Sequence, residues 1–444
     1  MNDGYGNLLG YKISDNYITA GKPLAVRQEQ QQRPALAINM KVFEVKKRAG
    51  RPKMQLVDTF KASLDPSLFR LYRRYLYSRY KATDELAQAE VVHEKAKECL
   101  LKMACKFRQN MSYFDPGDQL AVEIENHLLK SPVGIAAGFD KNCDVLRPTS
   151  YIFGFLNPGS VLKDPHVGNL QRPKNEGTVR IVVDDKRKAI INAQGYPHKG
   201  LDYTIANLKK FSEGSRGNAK ILLNFSGITD VYTEDAVLDS CKEILVRSAP
   251  YVDFGFEENR TSPNTDFNKV LQTPEFTKKI VDLMNTHVPG KVKVSKISPY
   301  SKLPPSDEER KAKLKSIKVF YECGGQMVTL GNTRPVDTKS TTLSRNFVRG
   351  VAGESGRPLL PYMLKLVEDV HSAFPNMTII ACGGIFSGED AWKAYEKGAT
   401  LLSLYTALTF YGFGVVRNIH DVLKRKLGGE TLQGFIEKRD DHLR

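Results

Sequence analysis

Lys141, Ser160, Asn192, Asn224, Asn259, Lys296, Thr329, Gly383-Gly384 and Tyr405-Thr406 each stand at or just past the end of a short apolar run. The set is rich in amides and lysines. An amide donates and accepts in one plane, and a lysine holds developing negative charge. Together they suit a planar, carbonyl- and imide-bearing cofactor or substrate. No Asp/Glu pair and no metal-ligand cluster stands among them, which argues against glycosidase and metallohydrolase chemistry. The string Asn259-Arg-Thr-Ser262-Pro-Asn264-Thr265 follows another of these runs. Alone it reads as a turn or helix cap; at a strand end it would aim a hydroxyl and two amides at the same place. Two glycine sites, Gly353-Glu-Ser355-Gly356 and Gly383-Gly384, could wrap a phosphate in backbone N–H groups at a helix start.

Something must bring these residues together. Eight apolar runs recur, at 133–139, 152–161, 221–225, 252–256, 292–297, 326–329, 377–382 and 401–408. Helical patterns separate most of them, at 203–212, 235–248, 277–287, 359–374 and 388–397, with a capping box from Ser306 to Glu309 opening one more. Buried strands alternating with helices mean parallel sheet, and eight of them predict an α/β fold closed as a (β/α)8 barrel, with a doubly wound open sheet as the alternative. In a barrel the C-terminal strand ends form one mouth, so the residues above would converge there. Residues 179–191 break the pattern as two strand-like runs around Asp184-Asp185, an inserted hairpin.

Ahead of the barrel the chain has another texture. Residues 65–112 are predicted to be a basic, aromatic helix pair. Asp65-Pro66 starts the first, with Leu68, Leu71, Tyr72, Tyr75 and Leu76 at helical spacing among Arg70, Arg73, Arg74 and Arg79. The second is expected to start near Thr83-Asp84. Residues 1–60 show no period and read as an extended basic arm that orders only against a partner, making three parts: arm 1–60, helical region 61–115 and barrel 116–444. Of the formal charge of +16, residues 1–115 carry +9, with 21 Lys+Arg against 12 Asp+Glu. Such an excess favours an acidic surface: anionic lipid, nucleic acid or protein. The six cysteines form no Cys-x-x-Cys pair, which suits a reducing compartment. The first residues hold no signal-peptide core and make a poor presequence.

From about Ser131 to the C-terminus the chain resembles the membrane-associated, quinone-dependent dihydroorotate dehydrogenases, FMN enzymes of pyrimidine synthesis. The resemblance rests on Pro132-Val-Gly-Ile-Ala-Ala-Gly-Phe-Asp140-Lys141, Thr261-Ser-Pro-Asn-Thr265, Gly383-Gly384 and Leu404-Tyr-Thr-Ala-Leu-Thr-Phe410. It implies the (β/α)8 fold, FMN, dihydroorotate and orotate, a quinone, and a place on the mitochondrial inner membrane, with peripheral membrane association and no nucleic acid; a protein partner for residues 1–60 is expected from the arm itself. Residue by residue, it implies that Ala136, Ala137, Gly138, Gly159, Ser160, Asn192, Asn224, Lys296 and Thr329 line the flavin. Gly356, Gly383, Gly384, Tyr405 and Thr406 would hold its phosphate. Lys141, Asn192, Asn259 and Asn264 would bind the substrate ring and carboxylate. Ser262 would be the base and Thr265 its relay, with Lys141 beside them in the catalytic set. The helix pair would line a quinone tunnel.

The chain also departs from that family. A Thr-Asn-Thr reads Thr329-Leu330-Gly331-Asn332, so a ring-binding asparagine is lost unless Asn332 reaches round. Tyr196 replaces a phenylalanine, Asn224-Phe-Ser-Gly replaces Asn-Leu-Gly-Lys, and the loop after Thr265 changes from Gly-Leu-Arg to Asp-Phe-Asn. Glu257-Glu258 replaces apolar residues, and an unpaired buried carboxylate costs several kcal/mol or takes a proton. These changes set a second expectation beside the enzyme: a catalytically impaired accessory subunit of a mitochondrial assembly. A third, a relative of tRNA dihydrouridine synthases, lacks the cysteine acid those enzymes use.

Overall fold

The computed structural model describes residues 45–47, 56–82, 88–169, 179–228, 233–261, 271–339, 347 and 349–441, all within one compact unit, Phe43–Arg444. Eight parallel strands close into a barrel: β1 (Val133–Ile135), β2 (Phe155–Leu156), β3 (Lys220–Phe225), β4 (Gly255–Glu258), β5 (Val292–Ile297), β6 (Met327–Leu330), β7 (Thr378–Cys382) and β8 (Leu401–Leu404). Each pairs with its neighbours in sequence, and β8 pairs with β1. Every residue of β1, β4, β5, β6 and β8 is buried. That is why β1, β6 and β8 read as nearly continuous apolar runs, while the polar residues of β4 and β5 are buried too.

The helices of the outer ring are α1 (Leu146–Thr149), α2 (Leu201–Ser212), α3 (Glu234–Ser248), α4 (Pro274–His287), α5 (Asp307–Glu322), α6 (Leu360–Ala373), α7 (Gly388–Glu396) and α8 (Gly414–Leu427). Four of their starts are set by side-chain caps: Thr233, Thr273, Ser306 and Ser387 each accept an N–H from the first turn. Such a cap contributes about 1 kcal/mol. The Ser306 box is half formed, since Glu309 turns instead to Ser301 N and Oγ at 2.8 and 2.9 Å.

The inserted hairpin is Ile181–Asp184 with Ala189–Asn192. It does not stand alone. Arg334–Asp337 and Val351–Gly356, between β6 and α6, join it in a four-stranded antiparallel sheet. The buried Glu354 carboxylate ties the two hairpins, pairing with Arg187 and, at 2.6 Å, with Arg334.

The strand ends differ from the apolar runs in informative ways. The apolar run at 252–256 stops at Phe256, while β4 carries Glu257 and Glu258 and ends just before Asn259, as the strand end expected at Asn259 requires. The run at 401–408 instead divides, giving β8 and then the helix Thr406–Tyr411. Ahead of the barrel stand helices Leu56–Leu64, Pro66–Arg79 and Gln88–Lys102. Asp65 Oδ1 accepts from Ser67 N and Leu68 N, as its place before Pro66 requires. The second long helix starts at Gln88; residues 83–87 lie outside the described residues, as do residues 1–44 of the arm. In the described part of the arm, Val45–Lys47 pairs antiparallel with Tyr80–Ala82 of the same chain.

Candidate active site

At the C-terminal mouth a cavity lies between the ends of β1, β5, β7 and β8. Ala136 and Ala137 line it after β1, Lys296 from β5, Gly383 and Gly384 after β7, and Tyr405 and Thr406 after β8. Gly356 reaches it from the end of the four-stranded sheet. Thr406 Oγ1 donates to Ser355 Oγ at 3.0 Å, closing one wall. Gly384 adopts φ +77°, and a Cβ there would lie 2.3 Å from the Leu360 amide at the start of α6. Only glycine lets these two backbones meet. Burial pushes the Tyr405 phenol up to about 12, so its O–H keeps its proton. Burial likewise raises the Cys382 thiol, while Lys296 pulls it back down.

A second group of side chains sits around Lys296. The strand register brings them together: Asn224 lies opposite Glu257, and Lys296 opposite Thr329. All four are buried. Asn157 Nδ2 and Asn224 Nδ2 each donate to a Glu257 carboxylate oxygen at 2.6 Å, Thr329 Oγ1 donates at 2.8 Å, and Lys296 Nζ stands 3.6 Å away. Glu258 is also paired, with Arg260 at 2.8 and 3.0 Å and with Ser295 Oγ. Neither carboxylate is therefore unpaired. Removing one partner of such a buried pair costs about 3–5 kcal/mol.

The third group faces the remaining side of the mouth. Asn259 Nδ2 donates to Ser160 Oγ at 3.0 Å. Asn332 does reach round: it lines the cavity, and its Nδ2 donates to Asn259 Oδ1 at 3.2 Å and Thr261 Oγ1 at 3.1 Å. The bend that allows this is Gly331, at φ +135°, where a Cβ would lie 1.6 Å from the Cys382 carbonyl oxygen. Tyr196 O–H donates to the Asn259 carbonyl at 3.4 Å. Gly138 N–H donates to Gly159 O at 2.8 Å, and Gly159 N–H to Asp140 O at 3.0 Å, which holds β1 and β2 ends together. Asn192 sits in the inserted hairpin, its Nδ2 3.4 Å from Gly353 O. Lys141 is pushed down to about 8, first by burial and then by the Lys97 ammonium.

Eight expected residues thus line the cavity: Ala136, Ala137, Lys296, Gly356, Gly383, Gly384, Tyr405 and Thr406. Asn224 and Thr329 join it through Glu257 and Lys296, and Ser160 and Asn259 through Asn332. Gly138, Gly159, Lys141 and Asn192 stand apart from its lining. Ser262, Asn264 and Thr265 lie outside the described residues. The loop that carries them is anchored at both ends, by Thr261 Oγ1 on Lys296 O at 3.0 Å and by Arg260 Nη1 on Leu271 O at 2.7 Å. Asn157, Ser355, Leu359, Ile385, Phe386 and Ser403 were not expected. Ser355 had a signal in the Gly-Glu-Ser-Gly string; Asn157, inside an apolar run, had none.

Does this mouth fit a planar group carrying N–H, carbonyls and a phosphate? Among the described residues around the mouth, buried atoms without a partner are Asn157 Oδ1, Asn224 Oδ1 and Ser403 Oγ. The two amide oxygens would accept from a ring N–H, Lys296 offers a cation, and the glycine loops leave room for backbone N–H groups to approach an anion. The residues fit.

The family model for dihydroorotate dehydrogenase matches residues 119–427. The chain belongs to the dihydroorotate dehydrogenase family. This family is flavin-dependent. Among its similar relatives is the dihydroorotate dehydrogenase (quinone) of Coxiella burnetii (strain Dugway 5J108-111), 27% identical over 363 residues, covering 78% of this chain and 96% of the relative. That of Hamiltonella defensa is 30% identical over 309 residues, covering 65% of this chain and 83% of the relative. The dihydroorotate dehydrogenase of Eimeria tenella in complex with ferulenol superposes with a TM-score of 0.63 at 27% identity, covering 77% of this chain and 94% of that one. Among the described residues no group of His, Cys, Asp and Glu could hold a metal ion.

Proposed function

We propose that the protein oxidises dihydroorotate to orotate with FMN and passes the electrons to a quinone at the mitochondrial inner membrane. One observation carries this reading: the glycine loops and Lys296, with Asn332 beside them, line one cavity at the barrel mouth, in a chain whose relatives are quinone-type dehydrogenases. Gly356, Gly383, Gly384, Tyr405 and Thr406 would hold the phosphate. Ala136, Ala137, Gly138, Gly159 and Ser160 would pack along the ring, and Lys296 would face its N1–O2 edge. Bound FMN would supply a two-electron acceptor for hydride from C6 of the substrate.

The remaining work falls to the chain's own side chains. Lys141 would hold the substrate carboxylate, and its depressed basicity costs nothing at neutral pH, where it keeps its charge. Asn192, Asn259, Asn264 and Asn332 would bind the ring amides. Ser262 would take the C5 proton and Thr265 would relay it. For the quinone, the helix Pro66–Arg79 presents exposed Leu68 and Leu71 beside exposed Arg70 and Arg74, a face suited to an anionic lipid surface. The same helix reaches the cavity wall, with Arg73 stacked 4.7 Å over Phe410 of the helix that starts at Thr406. An aromatic line, His93–Phe139–Tyr405, with centroids 5.8 and 5.7 Å apart, leads from helix Gln88–Lys102 to the cavity. Among the described residues no helix is long and apolar enough to cross a membrane.

The test is the visible spectrum of the purified protein before and after anaerobic dihydroorotate. The expected result is an oxidised-flavin band that bleaches, and recovers on adding a short-chain quinone. A flavin band that ignores dihydroorotate, or no band at all, sinks the reading.

A further inference from the structure

Glu257 stands inside the barrel with donors on every side. Two amide N–H groups, a hydroxyl and an ammonium meet one carboxylate, which is fully buried. Its partners Asn224, Lys296 and Thr329 are residues placed along the flavin above. A carboxylate here does two things that the apolar residue of the resembling family cannot. It sets the two asparagine amides, because only Nδ2 can face a carboxylate; their Oδ1 atoms, which have no partner, are left as acceptors for a ring N–H. It also compensates the charge of Lys296 in a site where few other charges screen it.

Resting on the flavin reading, we infer that Glu257 is a positioning residue that turns Asn157 and Asn224 into acceptors and offsets the Lys296 cation, so that the bound flavin is held at a lower reduction potential. Reduction by two electrons and one proton leaves negative charge on the N1–O2 edge. A bare Lys296 favours that charge. A Lys296 shared with Glu257 favours it less. The flavin is then a weaker oxidant toward substrate and a stronger reductant toward quinone.

Sulfite reads this charge without turnover. Its sulfur lone pair forms a bond to flavin N5, and the displaced electron pair settles on the N1–O2 edge, so affinity rises with the positive charge there. The experiment compares flavin-loaded wild type, Glu257→Gln, Glu257→Leu and Glu257→Asp by sulfite titration and by potential against a reference dye. Gln and Leu, which remove the charge, should bind sulfite at least about tenfold more tightly and raise the potential by about 30 mV for each tenfold change in the reduction equilibrium. Asp, which keeps the charge but shortens the arm, should stay within about threefold of wild type. A purely structural role predicts the opposite order, since Gln is the closer match in shape.

Wild type bears on the inference without any variant. It should bind sulfite about tenfold more weakly than a quinone-type relative with an apolar residue at this position. Equal affinity overturns the inference. So do Gln and Leu variants that hold flavin yet match wild type, and these results leave the flavin reading standing. A wild-type chain that takes up no FMN overturns both.

Discussion

The β7–β8 side of the mouth and the β4–β6 side are made of different materials. On the first side the cavity is shaped by backbone: Gly383, Gly384 and Gly356, with the helix starts behind them. On the second it is shaped by side chains from several strands that satisfy one another, with Glu257 at the centre and Asn259 and Asn332 beside it. Two of the strings that resemble the family, Gly383-Gly384 and 404–410, stand on the first side, and one, Thr261-Ser-Pro-Asn-Thr265, stands on the second. The departures crowd the second. A backbone cradle needs only glycine and tolerates change around it. A side-chain network must change together, because one orphaned donor or charge inside it costs more than most single contacts supply.

Gly384→Ala should give the largest effect, because the new methyl meets backbone that cannot yield. Flavin content per protein should fall at least about tenfold, and stability by about 1–3 kcal/mol, read by absorbance and thermal melting. Gly383→Ala, whose methyl would meet side chains at 3.4 Å, should lose less. Equal losses would mean that the first side is not a backbone cradle.

Lys141, in the loop after β1, tests the substrate-binding side chains beyond both sides. Lys141→Gln should weaken orotate binding by about a hundredfold, as expected for a charge-assisted contact of roughly 2–3 kcal/mol. Its pKa, near 8, lies below the ordinary lysine value, so the cation is present at pH 7 and is lost as pH rises. Orotate affinity in wild type should therefore fall about tenfold per unit above pH 8, and this slope should vanish in the variant. A titration of the flavin spectrum with orotate between pH 6.5 and 9.5 measures both.

His198 supports the same region, its Nδ1 accepting from Gly200 N at 2.9 Å, and burial lowers it to about 4. Unfolded, it binds a proton near pH 6.5; folded, it does not until about 4. Stability is thus present above pH 6.5 and falls as pH drops through that window, by roughly 2 kcal/mol between pH 7 and pH 5. Urea unfolding at the two pH values should show the loss, and His198→Asn should remove that share of it.

Asn332→Ala should have the smallest effect, a five- to tenfold rise in the Kd for orotate, about one hydrogen bond's worth. No change would mean that the relocated asparagine only braces Asn259.

Much of the barrel was legible because burial on both strand faces writes an unbroken apolar run, and Thr233, Thr273, Ser306 and Ser387 mark helix starts locally. The cavity glycines were legible from their place in the strand count. What surrounds Glu257 and Glu258 was not: a strand end at Asn259 puts both on β4, but no local pattern shows the partners that pair with them. The second hairpin escaped for a similar reason, since Arg334–Asp337 is half exposed and charged and has no apolar run to announce it. The pairing of Val45–Lys47 with Tyr80–Ala82 escaped because it spans too many residues for any local pattern.

By itself, then, the sequence determined the alternation of strands and helices, the helix starts and the glycine loops, because each depends on residues within a turn or two of one another. Tertiary structure alone decided what becomes of Glu257. Its donors lie 33, 72 and 100 residues away, and only strand order and register bring them within 2.8 Å. Whether a buried charge is a fault or a fixture depends on those neighbours, and neighbours across a barrel are not written in any local stretch of chain.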